Sequence, residues 1–330
     1  MIKIDVIKNG RLDSRYRYLF ESLPKDKYDI KYINCKYSYP FELLTPLRRD
    51  VDIIWTGRPW DEYLLECSKP FVITVRGEFW QERPHLVGIA NRLCQRASRI
   101  ILLSNYGYNE FLNFMPNLKD KCIIIPNGIY VKDTKPINKI TSVDGEDIQF
   151  GNHILITFVS NFSFKTKVQA AKELIRMFIK NLLLPQVKFV IAGNVSDKFF
   201  TADIPTDLRQ KIIYVGRYDN ILALLKRTDV FVYHTYQDMQ PASVLEAGAM
   251  GVPVIATDNC GMSQWIKNGV TGFVCKDLDE MAKKIRLLID KKSLRIKMGK
   301  ENKKFMKKNF SWQKCANKYD KIFTELVEKK

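Results

Sequence analysis

Apolar and polar positions follow two different rhythms along this chain. Short, almost wholly apolar runs recur at 51–55, 71–75, 99–103 and 122–125, and again at 154–160, 187–192, 212–215, 229–234, 252–256 and 272–274. Stretches with helical spacing stand between them, near 60–67, 84–97 and 105–114 in the first half and over 168–180 in the second. Runs this short that lack a polar face read as strands buried on both sides. Strands that alternate with helices predict parallel sheets covered by helices on both faces. Residues 1–7, MIKIDVI, alternate and open the series as a first strand, and from 278 to 330 the pattern is helical.

One stretch breaks the rhythm. Residues 130–152, YVKDTKPINKITSVDGEDIQFGN, are polar, carry Pro136, Gly145 and Gly151, and hold no sustained apolar period. A break of this kind predicts a domain boundary, and 330 residues suffice for two domains with separate cores. The expected division is an α/β domain over 1–135, a linker over 136–152, a second α/β domain over 153–311, and a closing helix over about 312–330.

Residues 233–274, YHTYQDMQPASVLEAGAMGVPVIATDNCGMSQWIKNGVTGFV, are the most informative part of the chain. An apolar strand ends at His234, a polar loop follows, and Pro241 opens a helix of small residues that Gly251 closes. Proline is tolerated at a helix start and breaks an interior, so Asp238 belongs to the loop and Glu246 to the helix. The end of one strand therefore offers a loop carboxylate, a helix N-terminus and a helix carboxylate. Ligands of open parallel sheets bind at such strand ends. The N–H groups of Ala242, Ser243 and Val244, with the helix dipole, favour a diphosphate. The two carboxylates suit the paired hydroxyls of the hexose and ribose that flank it.

This segment, D-x-x-P-x-S-V-L-E-A-x-A-x-G-x-P-V-I-A-T followed by G-x-x-x-x-I-x-x-G-x-T-G, resembles the donor site of the retaining glycosyltransferases of family four (glycosyl transferases group 1). Residues 123–129, IIIPNGI, are similar to the I-P-N-G block that ends the family's first domain. The strand and helix of 154–180, the strand ends at Gly193 and Gly216, and Phe310-Ser-Trp312 agree with it. The likeness covers about residues 70–325. It implies the GT-B fold, two Rossmann-like doubly wound parallel-sheet domains facing a cleft, with the N-terminal domain on the acceptor side, the C-terminal domain holding the donor, and the last helix crossing back onto the first domain. The implied reaction is retaining and metal-independent transfer of a hexose from a UDP- or GDP-sugar to a glycan or lipid-linked acceptor, with no cofactor.

The same resemblance assigns residues. Asp238 contacts the transferred sugar, Glu246 the ribose, and 239–244 (Met239, Gln240, Pro241, Ala242, Ser243, Val244) offer backbone amides to sugar and diphosphate. Gly216, Arg217 and Tyr218 read the nucleobase, and Gly193 borders the donor. A lysine in the loop after the first strand of the second domain meets the phosphates; Lys165 is favoured, and Lys167 stands two residues on. Asn161 occupies the place of the family's arginine, a departure that removes a charge, which Arg217 would restore. In the first domain Arg76 replaces the family's histidine in VITVRGE, with Glu78 beside it, and only Gly10, in KNGR with Arg11, marks the acceptor loop. These departures keep open a second reading, a weakly catalytic sugar-nucleotide-binding partner subunit.

The charge of +18 adds a partner question. Residues 276–330 carry 18 Lys/Arg against 8 Asp/Glu, so the excess is densest at the C-terminal end. A basic field attracts nucleic acid or an anionic membrane surface. No nucleic-acid fold signature is present, which leaves a nucleic-acid-directed protein resting on charge alone. The membrane surface fits better, and Arg15, Tyr16, Arg17, Tyr18 and Trp60 add basic and aromatic groups suited to an interface. No apolar run approaches the roughly 18–20 residues that span a bilayer, and the N-terminus lacks a signal peptide's apolar core. Seven scattered cysteines without a C-x-x-C pair and three remote histidines argue for reduced thiols and against a zinc site. The expected location is the cytoplasm, peripheral at its membrane face.

Overall fold

The computed structural model describes residues 1–9, 14–35, 43–130, 134–194 and 204–328. The chain divides into two compact units. The first comprises 1–130, 238–240 and 310–330; the second comprises 131–237 and 241–309.

The first unit carries strands β1 (Ile2–Asn9), β2 (Tyr28–Cys35), β3 (Ile53–Thr56), β4 (Phe71–Val75), β5 (Arg99–Leu102) and β6 (Cys122–Ile124). They form one sheet in the order β2-β1-β3-β4-β5-β6, parallel throughout. Helices α1 (Ser14–Glu21), α2 (Phe79–Glu82), α3 (Val87–Arg96) and α4 (Asn105–Phe114) connect them. The apolar runs are strands for the expected reason: β3 and β4 are buried along their whole length. Near 60–67, where a helix is expected, only a single 3₁₀ turn forms, Glu62–Leu65. Arg58 and Asp61 close a buried ion pair just before it, and Asp61 is fully buried.

The closing helix α10 (Trp312–Glu328) belongs to this unit. Trp312, Cys315, Ala316, Tyr319, Ile322 and Phe323 recur every three or four residues and pack with Leu19, Tyr28, Trp55 and Ile125. Gly128 admits the start of this helix, because a Cβ there would lie 2.6 Å from the backbone of Trp312. The Ile129 N–H donates to Phe310 O at 2.7 Å. Two motifs nearly two hundred residues apart in sequence are thus one packing contact. The far end of α10 is tied by Asp320, which accepts from Tyr28 Oη at 2.7 Å and from Lys27 Nζ at 2.8 Å.

The second unit opens with a hairpin, β7 (Lys139–Thr141) against β8 (Asp147–Gln149), where the sequence suggests a linker. Each strand has one inward side chain, Ile140 or Ile148, and these join Phe150 in a core with Leu155, Val190 and Ile213. Three-residue strands hold too little period for a pattern to register, and so 136–152 is part of the unit's core.

Strands β9 (Ile154–Val159), β10 (Val187–Ala192), β11 (Ile212–Tyr214), β12 (Val230–Tyr233), β13 (Val254–Thr257) and β14 (Gly272–Cys275) form a second parallel sheet, in the order β11-β10-β9-β12-β13-β14. Its helices are α5 (Lys165–Asn181), α6 (Ile221–Arg227), α7 (Ala242–Met250), α8 (Leu278–Asp290) and α9 (Lys292–Asn309). The small residues of α7 are there for packing. A Cβ on Gly248 would fall 2.8 Å from the side chains of Asn302 and Met306 on α9. Gly299 of α9 lies against Gly251, which ends α7 in the left-handed region at φ 86°.

Two outcomes are expected. Gly299→Ala places a Cβ 2.1 Å from the Gly251 carbonyl oxygen, which should cost about 1–3 kcal/mol. Thermal unfolding should therefore shift down by about 2–4 °C per kcal/mol; an unchanged midpoint would refute this packing. Asp320 supplies a pH test. Burial pushes its carboxyl up, but the hydrogen bonds from Lys27 and Tyr28 and the Lys27 charge outweigh that and hold it below the ordinary range. A depressed pKa contributes stability above the unfolded value that is lost as pH falls through the folded one. The urea midpoint of the wild type should therefore drop as pH falls below about 4. In Asp320→Asn this component of the drop should be absent, with the midpoint already lower at pH 7.

Candidate active site

The second sheet grows in both directions from its first strand. β9 pairs with β10 on one side and with β12 on the other, so connections leave toward opposite edges. Between the carboxyl ends of β9 and β12 the loops diverge, which leaves the opening where parallel sheets bind ligands. The segments at that opening are 160–164, running into α5, and 234–241, running into α7.

Both helices present uncapped N-termini there. Pro241 and Phe164 hold the N-cap positions, and neither contributes a side-chain hydrogen bond to its helix. The unused backbone N–H groups of a first turn carry partial positive charge, and acidic residues are missing from both first turns. Ser243 fixes α7 in place by donating its hydroxyl to Val159 O, at the end of β9, over 2.8 Å. The N–H of Val244 donates to Pro241 O at 3.1 Å and that of Gln240 to Asp238 Oδ1 at 3.1 Å. Pro241 has no N–H. Of the amides expected to meet an anion, those of Ala242 and Ser243 at the helix start and that of Met239 remain suited to it.

Helix α5 begins three residues earlier than its sequence pattern shows, so Lys165 and Lys167 are helical and not in a loop. Lys165 is the first helical residue and is exposed. Lys167 is buried, with its Nζ donating to Tyr233 Oη at 2.9 Å and lying 5.5 Å from the centre of that ring. Asn161 is exposed, and its side-chain oxygen accepts from Ser163 N and Ser163 Oγ, turning the chain into α5. Gly193 lets β10's exit pass the β9 loop, since a Cβ would lie 1.9 Å from Ser160 O. Gly216 is left-handed at φ 63°, Tyr218 packs on the hairpin core, and Arg217 pairs in solvent with Asp219 at 3.2 Å. Its guanidinium is exposed at the surface. Glu246 is half-buried, on the third residue beyond Ser243 in α7.

In the first unit, Asp238 is half-buried and turns the loop through its bond from Gln240 N. Met239 is a core residue, and Gln240 pairs with the backbone of Asn127, accepting from its N–H at 2.9 Å and donating to its oxygen at 3.4 Å. Arg76 is exposed at the end of β4 with its guanidinium 5.3 Å from the Tyr16 ring. Glu78, expected to face an acceptor, is 2% exposed and accepts from Tyr106 Oη at 2.6 Å. Gly10 and Arg11 lie outside the described residues. Among the described residues no group of three His, Cys, Asp or Glu could hold a metal, and no helix is long and apolar enough to cross a membrane.

The sequence gives no hint of one cluster at this sheet edge. Glu173, on α5, accepts from His234 Nε2 at 2.9 Å, from Gln169 Nε2 at 2.8 Å, and from Tyr236 Oη with both oxygens at 2.6 and 2.7 Å. The other ring nitrogen of His234 meets Thr257 Oγ1 at 2.8 Å. Burial pushes the Glu173 carboxyl up, but the donors from Tyr236, Gln169 and His234 outweigh it and hold it below the ordinary value. The Tyr236 hydroxyl is pushed up to about 12 by its bond to Glu173. Residues 61 and 63 positions apart carry no shared motif, so only the fold could reveal them.

Two parallel six-stranded sheets, with a sheet edge suited to an anion, are the architecture of GT-B glycosyltransferases. Residues 146–305 match the family described as glycosyl transferases group 1. The chain has the GT-B fold, and its residues 146–305 are similar to the glycosyl transferases group 1 family. An uncharacterised glycosyltransferase of Methanocaldococcus jannaschii is 26% identical over 251 residues, 72% of this chain and 61% of its own length. The UDP-Gal:alpha-D-GlcNAc-diphosphoundecaprenol alpha-1,3-galactosyltransferase of Escherichia coli is 26% identical over 218 residues, 64% of this chain and 56% of its own. This chain thus spans less than two thirds of the length of these curated relatives. The structure of Anabaena HepE in complex with UDP shares the fold, with a TM-score of 0.76 at 14% identity over 98% of this chain and 100% of that one.

The two lysines should separate by experiment. Lys165→Ala removes an exposed ammonium and should leave the melting temperature unchanged. Lys167→Ala removes a charged hydrogen bond to buried Tyr233, which should cost about 1.5–3 kcal/mol of stability. Equal melting temperatures in the two variants would sink that assignment.

Proposed function

We propose that this chain is a retaining, metal-independent glycosyltransferase that moves a hexose from a nucleoside diphosphate sugar, UDP- or GDP-linked, to a glycan or lipid-linked acceptor. The observation that carries the reading is the pair of uncapped helix N-termini at the β9/β12 opening, with Lys165 and Lys167 in the first turn of one of them. Breaking the anomeric bond releases negative charge on the diphosphate. Fixed N–H groups and ammonium ions stabilise that charge as it develops, which is the main contribution such chemistry needs. Under this reading Ala242 and Ser243 meet the diphosphate through their backbone, Lys165 neutralises it, Glu246 accepts from the ribose hydroxyls and Asp238 from the sugar. No resident cofactor is required. Retention comes from the family resemblance, with the departing diphosphate taking the acceptor's proton on the same face of the sugar.

The acceptor side has its own support. Helix α9 turns Lys297, Lys300, Lys304 and Lys308 outward, opposite its buried Arg295, Met298, Asn302 and Met306. Glu301, the one acidic residue of α9, pairs with Lys304 at 2.8 Å. A row of ammonium groups suits an anionic membrane surface, where each contributes about 1 kcal/mol. The diphosphoundecaprenol acceptor in the name of the Escherichia coli relative is the kind of molecule found there. We place the protein at the cytoplasmic face of that membrane, peripherally attached.

Purified protein incubated with UDP-, GDP- and ADP-sugars in EDTA should release nucleoside diphosphate slowly from one donor. Glu246→Ala should weaken binding of that nucleotide by about tenfold or more, the loss of a charged hydrogen-bonding partner. Lys165→Ala should lower turnover more than donor affinity. Stabilisation by a donor without release, with or without a lipid-linked acceptor, would favour the non-catalytic partner-subunit reading that Asn161 keeps open. Neither binding nor release would refute the donor site.

A further inference from the structure

We propose that Glu173 is a positioning residue for the reaction: it clamps the β12–α7 loop through His234 and Tyr236 and so sets where that loop delivers Asp238. The proposal rests on the donor-site reading above and adds to it a residue on α5 that touches no substrate in that reading.

The loop leaves β12 at His234 and must reverse direction before α7 starts at Ala242. Two of its first three side chains are spent on one carboxylate. His234 is 6% exposed and spans from Thr257, at the end of β13, to Glu173. In the tautomer with its proton on Nε2, the imidazole donates to Glu173 and accepts the Thr257 hydroxyl proton, so every group is matched. Tyr236 is 47% exposed, yet its hydroxyl lies within 2.7 Å of both Glu173 oxygens, and its ring stands edge-on to His234 at 5.4 Å. Gln169, one turn earlier on α5, donates to the same carboxylate and holds it in place.

An exposed tyrosine that meets a half-buried carboxylate is held by charge-assisted bonding and not by burial. The depressed carboxyl and raised phenol pKa values have the direction expected of such bonds. Other contacts shape the loop itself or fix its far end: Thr235 Oγ1 donates to Gln237 O and Gln240 N to Asp238 Oδ1, while the Gln240 side chain pairs with the backbone of Asn127. These shape the turn without attaching it to the second sheet's helices. Glu173 thus attaches both His234 and Tyr236 to α5. Asp238 follows Tyr236 by two residues, within reach of any movement the clamp prevents.

The chemistry separates Glu173 from a simple stabilising residue. Glu173→Ala removes the acceptor for three donors. Glu173→Gln keeps an acceptor oxygen for Tyr236, and its amide can donate to His234 once the imidazole proton moves to Nδ1 and faces the Thr257 oxygen. Glutamine should therefore rescue what alanine loses. The diphosphate is held in this reading by α7 and α5, which the clamp does not move, whereas the sugar needs Asp238.

The test uses the full chain in wild-type, Glu173→Ala and Glu173→Gln forms. Hydrogen–deuterium exchange at amides 235–240 should rise about tenfold or more in the alanine variant, the loss of one or two such bonds, and return close to wild type in the glutamine variant. Nucleoside diphosphate affinity should stay within about twofold in all three, while kcat/KM for the nucleotide sugar should fall about tenfold or more only in alanine. Unchanged exchange in Glu173→Ala overturns the clamp whatever the protein's substrate. Raised exchange with unchanged kcat/KM overturns its role in the reaction, as does an equal loss of nucleoside diphosphate binding and melting temperature. A wild type that binds and cleaves no donor would refute the functional reading, and the exchange measurement would still decide the clamp.

Discussion

The second sheet is laid down outward from its first strand, and the rest of this molecule's chemistry follows from that constraint. β9 has partners on both sides, so the chain must exit it toward one edge and exit β12 toward the other. Right-handed crossovers then place α5 and α7 with their N-termini at the same end of the sheet. The Ser243 bond to Val159 O joins the start of α7 directly to the end of β9. No side chain has to be recruited to create a positive field there, because unused backbone N–H groups already point at the opening. The lysines of α5 add to a field that topology provides.

Packing explains much of the signature that looks catalytic. In the string of small residues that follows Glu246, Gly248 makes room for Asn302 and Met306, and Gly251 passes Gly299 with its backbone. Asn302 in turn donates to Val252 O, so α9 is locked onto the turn between α7 and β13. Gly128 and Trp312 do the same for the first unit. The α7 positions fix how that helix is held, and thereby where Glu246 is held within the second unit. A motif of this family reads as one signal in sequence, but physically it is a few polar groups carried on a close-packed frame.

Within that frame the polar groups divide by what they touch. Lys165 and Arg76 reach solvent. Lys167 and Glu78 are buried against Tyr233 and Tyr106. Arg217 is paired with Asp219 at the surface. The clamp around Glu173 belongs to neither sort, since it joins a helix to a loop across the mouth of the sheet. Geometry of this kind matters because a displaced carboxylate loses its bond to a hydroxyl over tenths of an ångström.

The sequence by itself marked most of the strands, since a short apolar run is satisfied by burial on both faces, but it did not mark β2, whose residues Tyr28–Cys35 mix polar and apolar side chains. It also placed Asp238 in a loop and Glu246 in a helix, because Pro241 allows no other arrangement. It did not show the hairpin at 139–149, whose strands are shorter than any readable period, or the true start of α5, where Lys165, Thr166 and Lys167 are helical without an apolar face to announce it. Tertiary structure alone decided which lysine is exposed and which amides are already bonded, and it alone brought Glu173 to His234 and Tyr236. Those outcomes depend on how β9, β12 and α5 are aligned in space. A side chain's partner across 61 residues is set by that alignment and leaves no trace in the local pattern.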